Sequence, residues 1–184
     1  MNDKRKEFWF EALKGGTLIG LVSVAFSLLA QGASDKVWLA TALSYGTTVV
    51  TVFLAVGCLR RFAMGFSRAE GFSYGKGVGF VVAMMAFAGI LNGLYTAIMA
   101  NFFIHDELMV LVDEMMAGMQ DMIPADSFEQ SYNLVRTMFT NPLWLTLSSV
   151  LSNSLLGLLI GLVVSINTRR QPDIFAEDNH TEQE

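Results

Sequence analysis

Four stretches of the chain carry no Asp, Glu, Lys or Arg: residues 15–34, 37–59, 77–104 and 137–168, which are 20, 23, 28 and 32 residues long. A helix needs about 20 predominantly apolar residues to cross a hydrocarbon layer about 30 Å thick. All four runs meet that length. They predict transmembrane helices at about 15–34, 37–59, 78–104 and 143–167. Strands cannot take their place, because an open sheet edge cannot lie in lipid and a membrane barrel shows short alternating segments instead of unbroken runs. The expected fold is an all-α membrane protein of four spans within a single domain, residues 1–170.

The segments between the runs have patterns of their own. Residues 3–14, DKRKEFWFEALK, predict a short amphipathic helix whose Phe8, Trp9 and Phe10 lie at headgroup level. Residues 31–36 are too few for anything but a turn, so the first two spans are antiparallel neighbours. The second span is expected to run on through LRRFAMGFSRAE and stop at Gly71, since glycine readily adopts the left-handed conformation that ends helices. Phe66, Phe72 and Tyr74 then serve as interfacial anchors.

Residues 105–141 form the one sizeable segment outside the spans. HDELMVLVDEMMAGMQDMI has Leu108, Leu111, Val112, Met115, Met116, Met119 and Met122 at helical spacing, with Asp106, Asp113, Glu114 and Asp121 on the other side. Pro124 ends this helix. Asp126 with Glu129 resembles a capping box opening a second helix that carries Phe128, Tyr132, Val135, Met138 and Phe139. Asn141-Pro142 opens the fourth span with Asn as cap and Pro in the first turn. The acidic stretch QPDIFAEDNHTEQE, 171–184, predicts a disordered tail.

Charge adds orientation. The net charge is -5, yet Lys4, Arg5, Lys6, Lys14, Arg60, Arg61, Arg68, Lys76, Arg169 and Arg170 all fall on one side of a four-span topology. Only Lys36 and Arg136 fall on the other. Basic residues in short flanking loops are retained in the cytoplasm. Both termini are therefore expected to be cytoplasmic, and the 105–141 segment an extracytoplasmic helical hairpin. The basic start, apolar run and Ala30-Gln31-Gly32 also suit a secretory signal, but the run exceeds the usual 7–15-residue signal core. Cys58 is the one cysteine, so no intrachain disulfide is possible; it is expected to pack as a small apolar residue.

Candidate chemistry is sparse. The glycine-rich stretch around Gly71–Gly79 is not a phosphate loop. Three residues separate Gly71 from Gly75-Lys76 where four are needed, and Gly77 stands where a P-loop places a hydroxyl. Arg60, Arg61, Arg68, Lys76 and Tyr74 are instead candidates for contact with lipid or a partner. Gly16 and Gly20, Gly89 and Gly93, and Gly157 and Gly161 are four apart, which lets helices approach closely in lipid, within one chain or in a homodimer. Asn92 and Asn153, inside the third and fourth spans, are candidates for a polar cavity or for plain interhelical hydrogen bonds. His105 and His180 are the two histidines and neither sits in a metal or nucleophile motif. No catalytic residue, metal, cofactor or nucleic-acid partner is expected.

Four spans, a basic loop "SYGKG" running into the third, and a Met-rich acidic segment before the fourth are similar to the bacterial membrane proteins catalogued as domain of unknown function 4199. The resemblance covers about Gly15 to Arg170. It carries over no catalytic residues. It implies a bacterial inner-membrane location and a membrane subunit beside a peripheral enzyme, of which a polyprenyl-phosphate glycosyltransferase is one kind. Two roles are thus expected. The first is a non-catalytic accessory or scaffold subunit that contacts membrane lipids and meets its partner through the Met-rich helix or the basic loop. The alternative is a lipid or small-solute binding or transport protein, using a polar cavity between the third and fourth spans.

Overall fold

The structure is a computed structural model and describes residues 2–33, 36–66, 71–120 and 124–171. Among the described residues there are six α-helices: α1 Asn2–Gly32, α2 Val37–Met64, α3 Tyr74–Ile98, α4 His105–Met119, α5 Ala125–Thr140 and α6 Pro142–Thr168. A π-helical turn, Met99–Phe103, extends α3. Four helical stretches are long and apolar enough to cross a membrane: Arg5–Gly32, Val37–Met64, Tyr74–Phe103 and Pro142–Thr168. This is the architecture of a multi-pass membrane protein.

The helix ends follow from local chemistry. The Asn141 side chain accepts hydrogen bonds from the backbone N–H groups of Leu143 (2.9 Å) and Trp144 (3.3 Å), and Pro142 occupies the first turn, where its missing N–H costs nothing. Ser73 caps α3 by accepting from Lys76 N–H. Residues 3–14 lead into the first span without a break, as the first turns of α1. Two boundaries differ from the sequence reading. Met64, not Gly71, is the last residue of α2. Gly71 does take a left-handed φ of 61°, but its role is to turn the chain into α3. Pro124 stands at the cap of α5, which places Asp126 inside the first turn instead of at the cap. Asp121, Met122 and 172–184, including His180, lie outside the described residues.

α3 is the centre of the bundle. It packs against α6 on one side and α1 on the other, and glycines make both seams close. A Cβ at Gly93 would stand 2.6 Å from the Thr146 Cα, and one at Gly89 2.7 Å from the Val150 Cα. From α6, Gly157 and Gly161 face Met85 and Val78 of α3. From α1, Gly16 and Gly20 face Met84, Phe87, Ala88 and Leu91. All six sequence-predicted packing glycines are thus spent on contacts within the chain.

α2 sits differently. It lies mainly on α1 and touches α3 and α6 only sparsely. Its firm anchorage is aromatic. Phe62 stacks on Phe80 with centroids 4.2 Å apart, and meets Phe8, Phe66 and Phe72 edge-on. Phe72 is buried and Phe8 packs against the core, so neither is a headgroup anchor as their positions in the sequence suggest. The turn at Gly71 is the reason for Phe72: it folds the loop back so that Phe72 and Arg170 exchange two backbone hydrogen bonds of 3.0 Å. Beyond the other end of α3, α4 and α5 pack on each other and on the π turn, burying Val112 and Met116. Tyr132 O–H donates to Asp113 Oδ1 at 2.6 Å.

Candidate functional site

Polar residues inside the apolar helices converge. Ser23 and Ser27 of α1, Thr47, Thr48 and Thr51 of α2, Asn92, Tyr95 and Thr96 of α3, and Asn153 with Leu156 of α6 line one cavity of about 250 Å³. Thr48 and Asn153 stand near the middle of their helices and Ser27 and Thr96 nearer the α4–α5 end, so the cavity runs from mid-depth toward that end of the bundle. Thr48 and Thr96 are exposed, which carries it to the bundle surface. It forms where it does because α2 stands off from α3 and α6, while the glycine seams draw the other three helices together.

The hydrogen bonding is local. Thr47 Oγ1 donates to Leu43 O, Thr96 Oγ1 to Asn92 O, and Asn153 Nδ2 to Ser149 O, each at 2.9 Å. Side chains that bond back to the preceding helical turn satisfy a donor and leave acceptor capacity over. The hydroxyl of Tyr95 is buried and has no hydrogen-bond partner among the described residues. A buried polar group left so costs roughly 1–3 kcal/mol. The lining holds no carboxylate, ammonium, guanidinium or imidazole. Such a surface suits a neutral hydrogen-bonding solute and disfavours an ion, whose dehydration it cannot offset with charge.

Asn92 and Asn153, singled out in the sequence, share this cavity. Sequence reasoning missed Ser23, Ser27 and Tyr95. A signal existed: Ser23/Ser27, Thr47/Thr51, Asn92/Thr96 and Ser149/Asn153 all recur at four-residue spacing, one helical face.

The predicted basic patch divides. Arg60 lines a cavity of about 260 Å³ with Ala63, Met64, Asn167, Thr168 and Arg170. Arg61 turns instead to a cavity with Glu11, Lys14 and Cys58. Lys76 and Tyr74 line a third, with Arg169 and Arg170. Tyr74 O–H donates to Leu162 O at 3.0 Å, which ties the start of α3 to α6. Arg68 lies outside the described residues. Among the described residues no three His, Cys, Asp or Glu side chains gather as a metal site would require.

Comparison with known families places this arrangement. Residues 14–170 match the family model described as protein of unknown function, DUF4199. The chain belongs to that family. No curated protein and no solved structure matches it. The DUF4199 match spans every residue lining the mid-depth cavity and both partners of the Phe72–Arg170 bridge. It leaves out Phe8.

Proposed function

We propose that this protein binds, and passes across the bilayer, a small neutral solute rich in hydrogen-bonding groups. One observation carries the reading: all four apolar helices deliver polar side chains to a single uncharged cavity at mid-depth. Apolar helices gain nothing from these side chains unless they pair, and Asn92 and Asn153 face shared space instead of each other's helix backbone. The bundle is read as lying in the bacterial inner membrane with its basic end cytoplasmic, as short basic loops dictate. The α4–α5 segment is then extracytoplasmic. The role is non-catalytic.

The test is osmotic. Purified protein in proteoliposomes is challenged with glycerol, erythritol and urea while light scattering follows vesicle swelling. Swelling faster than in protein-free vesicles is expected for at least one of the three solutes. The Asn92→Leu/Asn153→Leu double variant, folded by circular dichroism, should lose that excess. Wild-type rates equal to those of empty vesicles for all three sink the proposal.

A specific observation favours a second reading. Leu111, Met115 and Met119 form an exposed stripe on α4, beside the buried stripe of Val112 and Met116. Methionine surfaces adapt to partners. An accessory subunit, with a membrane enzyme such as a polyprenyl-phosphate glycosyltransferase as partner, would dock there. The double Leu variant would leave that role intact, which separates the two readings.

A further inference from the structure

The basic end of the bundle presents a second arrangement, independent of the mid-depth cavity. Two cavities, of about 260 and 380 Å³, lie on either side of Arg170 and share it as a wall. Arg60 contributes from α2, Asn167 and Thr168 from the end of α6, Arg169 and Arg170 from just beyond it, and Lys76 from the first turn of α3. Among the described residues no carboxylate lines either cavity. Four cations drawn from three separated stretches of sequence are brought together here. Bringing like charges together is unfavourable, and the site therefore favours an anion.

The position of Arg170 is fixed, not incidental. Its backbone is held by the two-bond bridge to Phe72, and Phe72 is itself buried in the aromatic cluster. Tyr74 clamps the same loop to α6. The opening turn of α3 faces the larger cavity, and the positive end of its dipole adds to the field there. Arg60, Lys76, Arg169 and Arg170 stand within a turn of, or just beyond, the ends of membrane-length helices, where a bilayer about 30 Å thick would place its headgroups.

We propose that this end of the bundle is a phosphate-binding site for the headgroup of an anionic phospholipid, held between Arg60 and Arg170 with Lys76 and Arg169 completing the field. Guanidinium groups match phosphate oxygens in a two-pronged geometry, and Asn167 and Thr168 offer further polar contacts. The adjacent Arg61 gives the control. It stands one residue along the same helix, carries the same charge and lies at nearly the same depth, but faces Glu11 and Lys14.

The experiment is native mass spectrometry of the full chain released from neutral detergent, titrated with phosphatidylglycerol, phosphatidylcholine or inorganic phosphate. Wild type should retain one phosphatidylglycerol in clear preference to phosphatidylcholine. A charge near the membrane surface contributes about fivefold to anionic-lipid binding, so Arg60→Gln and Arg170→Gln should each weaken retention by about that factor or more. Arg61→Gln should change it by less than about twofold, because its side chain does not face the site. Should Arg170→Gln fail to fold, the exposed Lys76→Gln reports on the same site and should also weaken retention. Inorganic phosphate binding as tightly as the lipid would support the phosphate site and assign it to free phosphate. Equal losses for Arg60→Gln and Arg61→Gln, or no preference over phosphatidylcholine, would overturn the proposal and leave only charges that orient the chain.

Discussion

The two sides of α3's neighbourhood are built on opposite plans. Toward α6 and α1, glycines remove side chains until backbones nearly touch. Toward α2, polar side chains stand around open space. Gly89 and Gly93 would drive a Cβ into the α6 backbone, whereas α2 presents Thr47, Thr48 and Thr51 to a cavity. In lipid no hydrophobic force pulls helices together, so close van der Waals contact must do so. Where such contact is complete the bundle is a fixed frame. Where it is withheld, room is left for something else.

The sharpest way to break this contrast is Gly93→Leu. The new side chain meets Thr146 backbone, which cannot rotate aside, so the cost should exceed the roughly 1–3 kcal/mol typical of overpacking. Loss of monodisperse protein in mild detergent is the expected readout. Normal recovery would mean that the seam is not a fixed frame.

Phe62→Leu probes the aromatic anchorage of α2. Leucine keeps the site apolar but ends the contacts with Phe80, Phe8, Phe66 and Phe72, each aromatic pair being worth about 0.5–1.5 kcal/mol. Thermal unfolding should move to lower temperature, with α2 made more accessible to proteolysis than α6. Gly57→Ala runs the other way. With open space around it, removing a helix-interior glycine should stabilise the fold by about 0.5–1 kcal/mol, measured in the same melt.

The smallest effect lies outside the spans. The hydrogen bond to Asp113, and the neighbouring carboxylate charge, raise the Tyr132 phenol above its ordinary value. A raised phenol pKa means the neutral form is favoured in the folded state. Its contribution is therefore complete below about pH 10 and disappears as pH climbs through the raised value. Alkaline titration followed by tyrosinate absorbance should show Tyr132 ionising above the ordinary phenol value, and Asp113→Asn should bring it down.

The contrast between the two plans was only half legible in the sequence. The charge-free runs located the four long helices because a bilayer forbids charge within them, a constraint acting on each helix alone. The paired glycines were likewise readable as packing sites from their spacing. What the sequence did not disclose was which helices meet. Asn92 and Asn153 could be suspected of sharing a cavity, but Ser23 and Ser27 join it only because α1 crosses α3 through Gly16 and Gly20. The basic loop misled in a similar way. Arg60 and Arg61 are neighbours in sequence and face different cavities, because successive helical residues point about 100° apart. As an aromatic in a basic loop Phe72 reads as an interfacial anchor, and the single left-handed turn at Gly71 buries it instead.

The α3–α6 seam also sets an order of events during synthesis. Of the four membrane-length helices α6 leaves the ribosome last, and at about 5–20 residues per second it is completed several seconds after α3. Through that interval the glycine face of α3 has no mate, while α1 and α2 can already have paired. Any other helix with small residues in the translocation machinery or the surrounding membrane competes for that face. The yield of folded protein therefore depends on whether α6 reaches that face before a rival does.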